Sequence, residues 1–202
     1  MKLYKSDLSP FARKVLVVLH ETGQMDDLEY TNVFGTTVDA GTMPVGLNPL
    51  GKLPVLERDD GSAIYDSRVI CRFLNARAGG KLYPEGDRLW DVLTLEATGD
   101  GIMESAVAMV YEARVRPPEM QYQTIVDAHW VKIDRALSAL NKVWINQLSE
   151  PFNMGQVAVA SALGYLDLRL DARDWRQGND ALASWFEKIS ERASLQATVP
   201  VA

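Results

Sequence analysis

Every strand signal in this chain of 202 residues falls before residue 66, and from residue 88 onward only helical periodicity remains. A chain patterned in this way builds a small α/β unit first and an all-helical unit after it. Leu3 and Tyr4 open a short strand, and Ser9-Pro10 supplies the N-cap and N1 proline of a helix. Ala12, Val15, Leu16 and Leu19 give that helix one apolar stripe, and Gly23 offers a left-handed stop. Residues 28–33 favour a second strand, and the Gly/Thr/Asp-rich stretch 35–46 reads as irregular. Residues 53–58 and 63–65 flank Asp59-Asp60-Gly61-Ser62, whose Asp-Gly step suits a hairpin, so the sheet is expected to be mixed. Asp66-Ser67 then begins a helix carrying Val69, Ile70, Phe73 and Leu74, which stops at Gly79-Gly80.

These signals divide the chain into an α/β unit over 1–80, a linker over 81–87 and an all-helical unit over 88–202. Helical patterns run over 89–114, 119–148, 155–169 and 181–192. Before the third of these, Asn153 and Gln156 read as a capping box, with Phe152 and Val157 as its hydrophobic staple.

Composition removes several function classes. A net charge of -6 with no clustered Lys/Arg surface argues against nucleic acid as a partner. The longest nearly apolar run, 157–166, is half the ~20 residues that a membrane-spanning helix needs, and the first ten residues lack the apolar core of a signal peptide. The single cysteine, Cys71, has no partner for an internal disulfide, which fits the cytoplasm. His20 and His129 have no second His or Cys at ligand spacing, so no metal is expected.

Several residues have both a structural and a chemical reading. Pro54 interrupts a strand pattern, either as an edge-strand proline or as a cis-proline that turns the next residue's backbone toward an extended ligand. Asp66 and Ser67 read as ordinary caps. Cys71 lies in an apolar helical pattern and reads as a buried thiol; without any Cys-x-x-Cys, dithiol redox chemistry is unsupported. Gly99 and Gly101 suggest close backbone approach or a pocket wall. Asp100 and Glu104, four apart, call for a cation from a ligand or a neighbouring subunit. Met103, Val107, Tyr111 and Arg114 continue that side of the helix, as core or as a wall for an apolar cosubstrate.

The segments Ser9-Pro10-Phe11-Ala12-Arg13-Lys14-Val15, Asn48-Pro49-Leu50-Gly51-Lys52-Leu53-Pro54-Val55-Leu56, Tyr65-Asp66-Ser67 and Leu82-Tyr83-Pro84 together resemble the glutathione S-transferase family. Gly99-Asp100-Gly101-Ile102-Met103 and Gly164-Tyr165-Leu166-Asp167 are similar to the helical half of a bacterial branch of it. The resemblance implies a thioredoxin-like domain with a four-stranded sheet, glutathione as cosubstrate and a homodimer. It makes Pro54 a cis-proline and Val55 the residue whose backbone pairs with the cysteinyl unit. Asp66 and Ser67 would hold the γ-glutamyl group at a helix N-terminus, and Lys52 would meet the glycine carboxylate. Ser9 would donate a hydrogen bond to the sulfur, whose thiol otherwise titrates at roughly 8.5, with Ser6 in reserve. The activity implied is conjugation to a small electrophile or reduction of a peroxide. A non-catalytic module of the same fold is the alternative, as is an isomerase using Arg13 or Arg114 near the sulfur. Asn153 departs from the family's Ser/Thr cap.

Overall fold

A computed structural model describes residues 1–200 of the chain; Val201 and Ala202, the last residues of the expected helical unit, lie outside the described residues. β1 (Lys2–Lys5) leads through a tight turn into α1 (Pro10–Glu21), and β2 (Glu29–Asn32) returns parallel to β1 with Lys2 opposite Glu29. β3 (Val55–Glu57) pairs antiparallel with β1, Leu3 opposite Leu56, and β4 (Ala63–Ile64) pairs antiparallel with β3. The four-stranded mixed sheet therefore has the order β2-β1-β3-β4. Gly61, at φ 81°, sits in the hairpin turn that the Asp-Gly step foretells. Both strands flanking it are shorter than their sequence patterns.

α2 (Ser67–Arg77) packs against α1 and β3. Leu3, Val15, Val18, Leu19, Leu56, Ile70 and Leu74 are all buried between these elements. The helical half holds α3 (Arg88–Val115), α4 (Gln123–Lys142), α5 (Ile145–Leu148), α6 (Met154–Arg169), α7 (Asp180–Ser190) and α8 (Ala193–Gln196). The single helix expected over 119–148 is instead a 3-10 turn at Pro118–Met120 followed by α4 and α5. Tertiary contacts break it: the Glu112 carboxylate accepts from the Tyr122 backbone N–H at 3.0 Å, holding the chain extended before α4 starts.

α3 and α6 run parallel and in close contact. A Cβ on Gly99 would meet the Ala158 backbone carbon at 2.6 Å, and one on Gly155 would meet Leu95 Cβ at 2.7 Å. Close approach is thus the reason for Gly99, whereas Gly101 faces open space. Asn153 caps α6 by accepting from the Gln156 N–H at 3.3 Å, as expected. Gln156 does not complete the box: its side-chain amide donates to the Glu150 carbonyl at 2.9 Å. Phe152 packs on the core with the Arg192 guanidinium 4.0 Å from its ring centre.

Candidate active site

Topology alone gathers the candidate residues. β1 ends at Lys5 and the chain reaches Ser9 one turn later; antiparallel pairing sets the beginning of β3, Val55, beside Tyr4 at that same end. β4 runs back toward it, so Asp66 and Ser67 emerge there too. Ser9, Pro54, Val55, Asp66 and Ser67 thus share one end of the sheet, and the exposed Lys52 leads into it. The Leu53-Pro54 peptide bond is cis, as is Tyr65-Asp66. Pro54 is no edge-strand proline, since β3 is an inner strand. The β4 ladder stops at Ile64, opposite Leu56, so Val55 has no ladder partner on the β4 side.

Ser9 is the N-cap of α1, its Oγ accepting from the Ala12 N–H at 3.3 Å. An accepting oxygen leaves the hydroxyl hydrogen free to donate elsewhere. No acidic residue stands in the first turn of α1, so the positive end of the helix dipole is not opposed by its own side chains. Ser6 contributes through its backbone: its carbonyl accepts from the Ser9 N–H at 3.0 Å and closes the turn. Asp66 caps α2 by accepting from the Arg68 N–H at 3.0 Å; Ser67, the first residue of α2, is buried, whereas Asp66 is exposed.

A buried charge cluster lies just behind this end, and only part of it is legible in the sequence. Lys14 on α1 is fully buried, with Nζ 2.8 Å from Asp100 and 3.1 Å from Glu96, both on α3. The Tyr83 hydroxyl donates to Glu96 at 3.2 Å, and Arg68 Nε lies 3.0 Å from Asp100 and 3.7 Å from Asp66. Arg68 also reaches Glu104 at 3.4 Å. The cation expected from a ligand or neighbouring subunit for Asp100 and Glu104 therefore comes from Lys14 and Arg68 of the same chain. Burial alone would lower the Lys14 ammonium; it is instead raised. Its anionic neighbours outweigh the burial, chiefly Asp100 and Glu96, because the Cys71 thiol beside it is pushed far up by its own burial and stays uncharged. Cys71 is a buried, inert thiol, as its sequence context suggests.

Met103 is buried core and forms no wall, while Val107 and Tyr111 are half-buried and Arg114 is exposed. Arg13 is engaged elsewhere: its guanidinium lies on Gly164, where any Cβ would clash, and donates to the Leu195 carbonyl at 3.2 Å. A surface hollow of about 320 Å³ lined by Glu21, Lys81, Phe152 and Arg192 lies at the far end of α1 and includes none of these site residues. Among the described residues no group of three or more His, Cys, Asp or Glu could hold a metal ion, and no helix is long and apolar enough to cross a membrane.

A thioredoxin-like mixed sheet whose cis-proline and helix N-termini share one end, followed by an all-helical half, defines the architecture of cytosolic-type glutathione transferases. Comparison with known proteins agrees. The glutathione S-transferase N-terminal domain family matches residues 8–77, and its C-terminal domain family matches residues 123–188. The uncharacterized GST-like protein YibF of Escherichia coli (strain K12) is 31% identical, over 99% of this chain and 98% of its own. A glutathione transferase family member from Pseudomonas fluorescens Pf-5, solved with bound glutathione, is 39% identical with a TM-score of 0.96, covering 100% of this chain and 99% of that one. A second structure from the same organism holds S-(propanoic acid)-glutathione, at 39% identity and a TM-score of 0.91, with full coverage of both chains. The chain belongs to the glutathione S-transferase family.

Proposed function

We propose that this protein is a glutathione transferase of the serine-activated kind, joining the sulfur of glutathione to a small electrophile. The observation that carries the reading is the gathering of Ser9, Val55, Asp66 and Ser67 at one end of the sheet, beneath the N-termini of α1 and α2. The cysteinyl backbone pairs with Val55 on the side that β4 leaves without a partner. The γ-glutamyl carboxylate takes the Ser67 hydroxyl and the N–H groups of the first turn of α2, and Asp66 meets the ammonium. Lys52 meets the glycine carboxylate.

The thiol then lies at the Ser9 hydroxyl and the positive end of α1, which both favour the thiolate and lower its pKa without any proton-accepting side chain. The thiolate attacks the electrophilic carbon and forms the C–S bond. Conjugation is favoured over peroxide reduction because the Pseudomonas relative holds a thioether of glutathione. An isomerase that relies on Arg13 is disfavoured, since Arg13 is spent on Gly164 and Leu195 and is not free to stand at the sulfur. The units proposed are 1–80 for glutathione and 88–202 for the cosubstrate, joined by 81–87, in a cytoplasmic homodimer.

The test is a glutathione titration followed by thiolate absorbance, comparing the native protein with Ser9→Ala. The variant should bind glutathione yet lose the thiolate signal, with a fall of about 100-fold in kcat/KM. Absence of binding at millimolar glutathione overturns the reading, and binding with an unaltered thiolate signal in the variant moves activation away from Ser9.

A further inference from the structure

The helical wall opposite the Ser9 turn carries positive charge that glutathione binding does not use. Its height can be read from α1, which runs against α6. At its C-terminal end Glu21 is bonded by Arg192 at 2.6 Å beside Phe152, just ahead of α6, while Arg13 in its first turn lies on Gly164, well along α6. Ser9, one helical turn ahead of Arg13, is therefore level with the final turns of α6, where Tyr165 and Arg169 stand. The parallel packing of α3 on α6 carries Tyr111 and Arg114 to the same level. The Tyr111 hydroxyl lies 3.5 Å from the Gly35 carbonyl, so this end of α3 meets the irregular loop of the sheet half.

Two cations without a carboxylate partner come together here. Among the described residues neither Arg114 nor Arg169 has a carboxylate within ion-pair distance, whereas nearby Arg116 and Arg173 hold Glu112 and Asp127. Tyr165 is 6% exposed, with Arg169 and Arg114 both close enough to act on its phenol. Burial keeps that phenol above its ordinary value against the pull of both cations, so it presents an O–H. Two guanidinium groups and two phenols thus form a donor set with no acceptor charge of its own, in a chain of net charge -6.

We infer that Arg114 and Arg169, with the hydroxyls of Tyr111 and Tyr165, form a subsite for a carboxylate of the cosubstrate, so that the electrophile is an organic acid. The inference rests on the transferase reading and names the substrate class of that site. A guanidinium grips a carboxylate through paired N–H bonds and fixes its direction, which presents the electrophilic carbon to the sulfur at Ser9. With a chloroarene acid, the thiolate forms the C–S bond, chloride leaves with its electron pair, and the thiol proton passes to solvent.

Two matched pairs test this: 4-chloro-3-nitrobenzoate against 4-chloro-3-nitrobenzamide as substrates, each rate divided by the uncatalysed one, and the two glutathione conjugates they yield as ligands in calorimetry. The native protein should prefer the carboxylate member of each pair by about tenfold or more. Arg169→Met and Arg114→Met should each remove most of that preference with the amide little changed, and Arg114→Lys should restore part of it. Arg135→Met, which removes a distant exposed charge, should leave the preference intact. Equal binding of the two conjugates, or a preference that survives both methionine variants, overturns the subsite. Carboxylate-selective binding without turnover of either substrate would instead overturn the catalytic reading and keep the subsite, and failure of both conjugates to bind overturns both.

Discussion

Two groups of charged side chains stand on either side of the α1 N-terminus, and they are completed in opposite ways. Behind it, Lys14, Glu96, Asp100 and Arg68 satisfy one another: every charge has a partner from the same chain, and Lys14, Glu96 and Asp100 are buried while Arg68 reaches the surface. In front of it, in the subsite inferred above, Arg114 and Arg169 lie near the Tyr165 phenol and hold no carboxylate among the described residues. Buried charges that must hold a fold have to be neutralised internally, because an orphaned one costs several kcal/mol. Charges at the mouth of a cleft are under no such constraint, since water solvates them until a ligand arrives.

The largest test of this contrast is Lys14→Met, which leaves buried Glu96 with the Tyr83 hydroxyl alone and buried Asp100 with the half-exposed Arg68 alone. It should cost about 3–5 kcal/mol in denaturant-measured stability, and replacing Lys14, Glu96 and Asp100 together by apolar residues of similar volume should recover most of it. A loss below 1 kcal/mol would mean that water already reaches the cluster, and the contrast would fail. Next comes Gly99→Ala, which forces a methyl group against the Ala158 backbone and should cost about 1–3 kcal/mol; Gly101→Ala, two residues on in open space, should stabilise by about 1 kcal/mol. The pair separates packing in the seam from helix propensity.

A smaller effect is expected at the opposite end of α1. Burial alone would raise the Glu21 carboxyl, yet hydrogen bonds from Arg192 and Ser194 hold it below the ordinary value. A carboxylate depressed in the folded state adds stability above its unfolded pKa, and that stability disappears as pH falls through the folded one. Glu21→Gln should therefore cost about 1 kcal/mol at neutral pH, and the difference from native protein should vanish on acidification below the carboxylate range in pH-dependent melts. Smallest of all, Arg114→Met should change stability by no more than about 0.5 kcal/mol, in keeping with an exposed charge that has no partner to lose.

The sheet half was legible because its signals are local. Ser9-Pro10, Asp59-Asp60-Gly61-Ser62 and Asp66-Ser67 each fix the backbone within a few residues, and the mixed character of the sheet follows once the hairpin is recognised. The family resemblance further marked Pro54 as cis, which the spacing alone left open. The seam was not legible for the opposite reason. Nothing local to Lys14 marks a partner, since its partners lie 82 and 86 residues away. One hint was on hand: Glu96 and Asp100 are four apart, on a face they share with the buried apolar Val92 and Met103. The break between α4 and α5 carries no proline or glycine, so nothing in that stretch of sequence announced it.

The Lys14 cluster also bears on descent. It ties residue 14 of the first half to residues 96 and 100 of the second, so a crossover that exchanged either half with a distant relative would leave an ammonium or two carboxylates stranded in the dry seam. The two halves must then be inherited together or re-matched at these positions, and a chimera built from this chain should fold only when Lys14, Glu96 and Asp100 come from the same parent.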